Sequence, residues 1–330
     1  MRRKTHRAGE FELIARHFAP LARGFAGALE LTDDAAFVPA EPGTDLVVTS
    51  DALVEGVHFL PDDPPDMVAR KALRVNLSDL AAKGAVPRGY LLDIVLPDAI
   101  DEAWIAVFAD GLRADQAEFG AILIGGDTTS TPGPLTLAVT VMGPVPAGKM
   151  LRRSQAQPED DIYVTGTIGD AALGLLVRRG GLGGLDAAAR DHLERRYRVP
   201  EPRVALGPKL IGLAHAAMDV SDGLVADLGH ICDTSRVGAV IEEARVPLSP
   251  AAAAAVAADP SLMDRVLAGG DDYEILFTAP RAAAAALMAR AAETGVRLTR
   301  IGAVRRGAGV AVMRPDGSMR SLARGGWEHF

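Results

Sequence analysis

Aspartates recur where apolar runs end. Asp51 follows Leu46-Val47-Val48-Thr49-Ser50, and Asp127 follows Ala121-Ile122-Leu123-Ile124-Gly125-Gly126. Asp219-Val220-Ser221-Asp222-Gly223 and Gly269-Gly270-Asp271-Asp272 repeat the arrangement, and Asp33-Asp34 and Asp79 extend it. Converging carboxylates repel: two of them about 4 Å apart cost on the order of 4 kcal/mol at an effective dielectric of about 20. They stay ionised together when cations neutralise them. Acids interleaved with hydroxyls and glycines suggest hard-cation sites built to hold phosphate.

Asp79 sharpens this reading. Val68, Ala72, Val75, Asp79 and Ala82 recur at three- and four-residue steps, which places them on one helical stripe. Asp79 interrupts a face that otherwise favours burial, and a buried carboxylate needs a partner. Two partners are open: a salt bridge to Lys71 or Arg74, or a metal ion. Asn76 and Ser78 add polar atoms that a core stripe does not require.

The elements that must position these acids alternate between α and β. Residues 9–18 predict a short amphipathic helix, and strands are expected near 35–38 and 46–49. Asp66 starts a long helix running through Ala82, with Gly84 ending it. Strands at 90–95, 121–124 and 135–142 flank a helix over 102–119. Met142-Gly143-Pro144-Val145-Pro146-Ala147-Gly148 reads as a linker, so the domain boundary is expected near 150, giving domains 1–150 and 151–330. In the second half, strands are expected at 161–165, 216–220, 237–241, 274–278, 297–304 and 309–313. Helices are expected at 170–178, 223–233, 250–258 and 281–294. Asp110, Asp115, Asp186 and Asp191 fall on polar helical faces and receive no function.

Composition narrows the class. A chain of 330 residues favours two domains. A net charge of −8 disfavours nonspecific nucleic-acid binding, which needs a basic surface. Arg2-Arg3-Lys4 is not followed by an apolar signal core, because Glu10 and Glu12 intervene. No run reaches the roughly 18 apolar residues of a membrane span. Cys232 is the single cysteine, which excludes an intramolecular disulfide and suits a reducing cytoplasm; it reads as a small buried helix residue. The common phosphate loops are missing: Gly148-Lys149 is followed by Met150, and Gly180–Gly184 follows a helix with the wrong spacing.

The ordered motifs resemble the thiamine-monophosphate kinase family, within the fold superfamily of aminoimidazole ribonucleotide synthetase. They are Gly9-Glu10-Phe11-Glu12-Leu13-Ile14, Asp33-Asp34-Ala35-Ala36, Thr49-Ser50-Asp51, Gly56-Val57-His58-Phe59, the run from Lys71 to Ala82 and Gly125-Gly126-Asp127-Thr128-Thr129. Tyr163-Val164-Thr165-Gly166, Asp219-Val220-Ser221-Asp222-Gly223-Leu224 and Gly269-Gly270-Asp271-Asp272-Tyr273-Glu274 follow. Leu31-Thr32 stands where the family usually has a glycine, and Asp271 where it usually has a glutamate.

The resemblance implies a two-domain α/β architecture. It also implies Mg²⁺ ligands at Asp34, Asp51, Asp79, Asp127, Asp219 and Asp222, with oxygens from Thr49 and Ser50. Gly126, Asp127, Arg153 and Ser221 match positions around ATP, and His58, Asp271 and Trp327 match positions around thiamine monophosphate. Family members are homodimers that move the γ-phosphoryl group of ATP onto the monophosphate. The residues alone leave Arg153 open as a solvated charge, His58 as a satisfied or surface histidine, and Trp327 as a lid on an apolar patch. Asp33 and Asp272 read as loop-fixing groups. A ribonucleotide cyclo-ligase, a selenophosphate synthetase or a noncatalytic nucleotide- or cation-binding protein are the alternative functions. The acceptor phosphate is largely dianionic at neutral pH, since its second pKa is near about 6. No general base is expected; positioning and charge neutralisation carry the transfer.

Overall fold

The computed structural model describes residues 8–321 and divides the chain into two compact units. The first comprises Met1–Leu80 and Val86–Gly148; the second comprises Ala81–Ala85 and Lys149–Phe330.

The first unit opens with α1 (Glu10–Leu13), which continues as a π segment (Ile14–Phe18) and then two 3₁₀ segments, Ala19–Ala22 and Ala26–Leu31. The expected helix over 9–18 is therefore α-helical only in its first turn, and Pro20 sits in the tighter turn that follows. The sheet contains β1 (Thr44–Val54), β2 (Gly89–Pro97), β3 (Ile122–Thr131) and β4 (Thr136–Pro146) in the order β1-β4-β2-β3. β4 is antiparallel to β1 and β2, and β2 is parallel to β3. α2 (Pro65–Lys83) starts with Asp66 in its first turn and ends at Gly84, which has φ +76°. α3 (Glu102–Phe119) is capped by Asp101, whose carboxylate accepts the Trp104 N–H, and closes on left-handed Gly120. Tyr90 Oη reaches Gln116 of α3, and Thr49 Oγ1 reaches Asp79 of α2. Both helices therefore lie on the face that buries Tyr90, Leu92, Ile94, Leu137, Val139 and Val141.

The structure differs from three expectations. Residues 35–38 form no strand, because the Phe37 N–H donates to the Gly27 carbonyl rather than to a neighbouring strand. Residues 142–146 are strand rather than linker. Beyond Met142, β4 pairs only with β1, so Pro144 and Pro146 face one ladder instead of two, a position that tolerates a missing N–H. Asp115 is fully buried rather than on a polar face, and bonds to Arg70 and Arg74 of α2.

The second unit builds a seven-stranded sheet from β5 (Asp161–Thr165), β6 (Ala216–Asp219), β7 (Gly238–Glu242), β8 (Ile275–Ala279), β9 (Leu298–Arg305), β10 (Gly309–Met313) and β11 (Met319–Arg320). Its order is β11-β10-β7-β9-β5-β8-β6. β5, β6 and β8 are buried on both faces. Ile162, Val164, Met218 and Leu276 enter one core, while Tyr163, Ala217, Ile275 and Phe277 enter the other. The strand period of two makes that division. α4 (Asp170–Arg178), α5 (Ala187–Arg198), α6 (Leu224–Ser235), α7 (Pro250–Ala258) and α8 (Leu262–Ala268) supply side chains to the first core, and α9 (Ala284–Thr294) to the second. Cys232 is buried in the first core, and burial pushes its thiol up to about 12, where it is inert at neutral pH.

Candidate active site

In the first unit, register decides which acids meet. Asp93 pairs with Asp127 across β2 and β3, and with Ala138 across β2 and β4. Registered partners share a face, so Asp93 and Asp127 project together, away from the buried face. Gly126 makes this possible. Its φ is +144°, and a Cβ there would sit 1.9 Å from the Leu92 carbonyl oxygen. The two strands could not approach with any larger residue at that point. Asp33, Asp34, Asp93, Gly126 and Asp127 line one cleft of about 630 Å³.

The backbone approaches Asp34 under strain. Leu29, Glu30 and Leu31 have φ of +51°, +57° and +58°, a left-handed run that costs L-residues about 1–2 kcal/mol each. Asp33 Oδ1 then accepts the Asp34 N–H and holds the pair. Among the described residues, neither Asp34 nor Asp93 has an ion-pair partner, and both are exposed.

β1 splits its candidates by alternation. Thr49 and Asp51 point to the helix-covered face, whereas Ser50 points to the opposite face and bonds Thr140 Oγ1 at 2.8 Å. Thr49 Oγ1 donates to Asp79 Oδ2 at 2.5 Å. Arg74, one of the two basic groups considered for Asp79, bonds Asp115 and Glu118, and Lys71 Nζ donates to the His58 carbonyl. His58 Nδ1 accepts the Val54 N–H at 2.9 Å, which places any proton of the neutral ring on Nε2.

In the second unit, two motifs distant in sequence are laced together. The Asp271 N–H donates to the Ser221 carbonyl at 2.9 Å, and the Tyr273 N–H donates to the Val220 carbonyl at 2.8 Å. Gly270 is required for the approach: a Cβ would lie 2.2 Å from the Ser221 oxygen. Asp219, Ser221, Asp222 and Asp271 therefore occupy adjoining backbone. Asp271 itself has φ +72°, and its Oδ1 accepts from Tyr273 Oη at 3.1 Å. Arg153 is exposed on the segment before β5, and Ser235 Oγ fixes its carbonyl. Trp327 lies outside the described residues.

Sequence reasoning assigns Asp272 a loop-fixing role and gives none to Asp227, Asp170 or Glu274. Asp227 of α6 is fully buried, and its Oδ2 accepts the N–H groups of Ser221, Asp222 and Gly223 at 3.0, 3.0 and 3.1 Å. Burial, then the charge of Asp222, raise its carboxyl to about 7 against the effect of those N–H groups. Asp272 is buried, accepts the Gly169 N–H, and is pushed well up by burial. Burial opposes ionisation of Asp170. Its bonds with His192, Ser249 and Thr167 outweigh that and hold it below the usual range. Glu274 is fully buried between Arg196 and Arg203. Asp93 did carry a signal, as an acid inside the apolar run Leu91–Val95.

Residues 32–145 match the N-terminal domain model of AIR synthase related proteins, and residues 157–314 match the C-terminal one. A thiamine-monophosphate kinase of Caulobacter vibrioides is 45% identical over 323 residues, which is 97% of this chain and 90% of that protein. The crystal structure of thiamine-monophosphate kinase from Stenotrophomonas maltophilia K279a aligns with a TM-score of 0.82 at 43% identity, over 92% of this chain and 97% of that one. AaThiL complexed with AMPPCP and TMP aligns with a TM-score of 0.77 at 30% identity, over 98% of this chain and 97% of that one.

Proposed function

The chain belongs to the thiamine-monophosphate kinase family, and from that premise we propose that it transfers the γ-phosphoryl group of ATP directly to thiamine monophosphate, giving thiamine diphosphate and ADP. The observation that carries this reading is the cleft on which Asp34, Asp93 and Asp127 converge without a basic partner among the described residues. Exposed, uncompensated carboxylates fit a site completed by cations and phosphate.

Asp34, Thr49, Ser50, Asp51, Asp79 and Asp127 in the first unit would hold Mg²⁺ ions, and Asp219 and Asp222 in the second would do so likewise. All offer oxygen, the donor Mg²⁺ prefers. When bound, Mg²⁺ neutralises charge on the phosphate oxygens. Gly126, which lets β2 and β3 approach beside Asp127, is assigned to the nucleotide, and Arg153 offers a planar fork to phosphate. Ser221 contributes a hydroxyl. His58, Asp271 and Trp327 are assigned to the acceptor. The carboxylate of Asp271 is held by Tyr273, and an indole face suits the cationic thiazolium. No residue is assigned as general base, because the acceptor oxygen is already anionic.

The N-terminal domain, residues 1–150, would carry metal, nucleotide and dimer contacts. Residues 151–330 would add phosphate, metal and acceptor contacts. A homodimer is supported by the apolar side of β1, where Leu46 and Val48 are 51% and 55% exposed. No described helix is long and apolar enough to cross a membrane. A cytoplasmic location, with ATP at hand, completes the proposal.

A coupled ADP assay tests the function. Thiamine monophosphate should release ADP in a Mg²⁺-dependent manner, and thiamine, whose hydroxyl requires a base, should be a very poor substrate. Equal ADP release with both acceptors would overturn the base-free mechanism; no release with thiamine monophosphate would overturn the activity.

A further inference from the structure

One cluster differs in donor chemistry from the all-oxygen sites above. We propose that Asp222, a residue also assigned to Mg²⁺ above, joins Asp227 and His230 in a binding site for a borderline divalent cation, Zn²⁺ in particular. One ligand atom from each residue lies within 4.8 Å of the others. Asp227 and His230 are three positions apart on α6, so they project from one side of the helix. Asp222 comes from the loop just ahead of it.

The two oxygens of Asp227 behave differently. Oδ2 accepts three consecutive backbone N–H groups, which fixes the carboxylate's orientation. Oδ1 is buried and has no hydrogen-bond partner among the described residues. A buried polar atom left unmatched is costly, on the order of 1–3 kcal/mol. A purely structural brace would explain Oδ2 and leave Oδ1 without a purpose. A cation shared with Asp222 and His230 supplies the missing partner.

The donors also select the ion. Mg²⁺ takes oxygen and dehydrates reluctantly, whereas an imidazole nitrogen with two carboxylates suits Zn²⁺. Tetrahedral donors about 2.1 Å from Zn²⁺ lie about 3.4 Å from one another. His230 is the exposed member of the cluster. Its exposure also opens the site to solvent. The inference uses Asp222 as a metal ligand but does not depend on phosphoryl transfer, since binding is measured with the metal alone.

The test is calorimetric titration of ZnCl₂ into the untagged full-length chain, with excess Mg²⁺ present to fill the oxygen-only sites. Wild type should bind one Zn²⁺ equivalent. His230→Ala and Asp227→Asn should bind it at least about tenfold more weakly, a loss of about 1.4 kcal/mol. His230→Ala keeps the fold readable, because His230 is exposed; its Tm and Mg²⁺-dependent ADP release should match wild type. Co²⁺ in place of Zn²⁺ should give a visible d–d absorption that disappears in His230→Ala. Identical Zn²⁺ titrations for wild type and His230→Ala, or no Zn²⁺ uptake by wild type under excess Mg²⁺, would overturn the site. Either result would leave the kinase assay unaffected, so the two failures are distinguishable.

Discussion

In the first unit, Asp34, Asp93 and Asp127 stand exposed around a cleft, with few internal donors and no ion pairs among the described residues. In the second, Asp170, Asp227, Asp272 and Glu274 are buried and held by backbone N–H groups, hydroxyls, histidine and arginine. Both sets look alike as text. A buried acid held by donors within the fold braces a loop. An acid whose charge is left open is available to cations and phosphate. In the second unit Asp272 ties down Gly169, while its neighbour Asp271 sits on left-handed backbone and accepts from Tyr273 Oη.

The largest expected effect removes an internally balanced acid. Glu274→Gln removes the buried carboxylate between Arg196 and Arg203, leaving the part-exposed Glu201 beside both. Breaking such a pair costs about 3–5 kcal/mol, or about 10 °C in Tm for a chain of this size. Scanning calorimetry should show that drop, whereas Asp93→Asn should leave Tm in place. Equal shifts for the two variants would erase the distinction between bracing and open acids.

Asp79→Asn probes the other class. The carboxylate has a hydroxyl donor in Thr49, and Arg74 is engaged by Asp115. Turnover should fall about 10²–10³-fold, equivalent to about 2.7–4 kcal/mol of lost electrostatic stabilisation, with melting unchanged. A variant that melts early and retains specific activity would place Asp79 with the braces.

Trp327→Ala separates acceptor recognition from both kinds of acid. Loss of a cation–π contact worth up to about 2 kcal/mol should raise the thiamine monophosphate KM by up to about thirtyfold. The ATP KM and Mg²⁺ dependence should hardly move, and Trp327→Phe should recover part of the loss. An unchanged acceptor KM with a lowered Tm would make the indole a structural plug.

A pH slope tests one of the buried acids. The folded protein raises Asp227 to about 7, so it binds the proton more tightly than the unfolded chain does. That contribution is complete below the ordinary carboxylate range and is lost as pH rises through about 7. The slope is at most about 1.4 kcal/mol per pH unit. Urea melts in EDTA should show stability declining as pH rises from about 4 to about 7, the interval between the ordinary and folded values, and Asp227→Asn should flatten the decline. An unaltered slope in the variant would assign the decline to other groups.

Much of this molecule is legible along the chain. The helix over 102–119, the acid inside the stripe of α2 and the apolar runs that become β2, β5 and β8 follow from periodicity and caps, which are local properties. The acid-rich turns are visible for the same reason: a carboxylate after an apolar run is conspicuous wherever it points. Pairing is not local. Pro144 and Pro146 look like a linker until β2 is seen to end before them. Asp115 looks solvated until Arg70 and Arg74 of another helix cover it. Residue types and order established an acid-rich, two-domain α/β chain with candidate positions for cations and phosphate. Only tertiary structure decided which carboxylates meet donors. Register and burial set the local dielectric and the available partners, and these determine whether a carboxylate's charge is satisfied within the fold or left open.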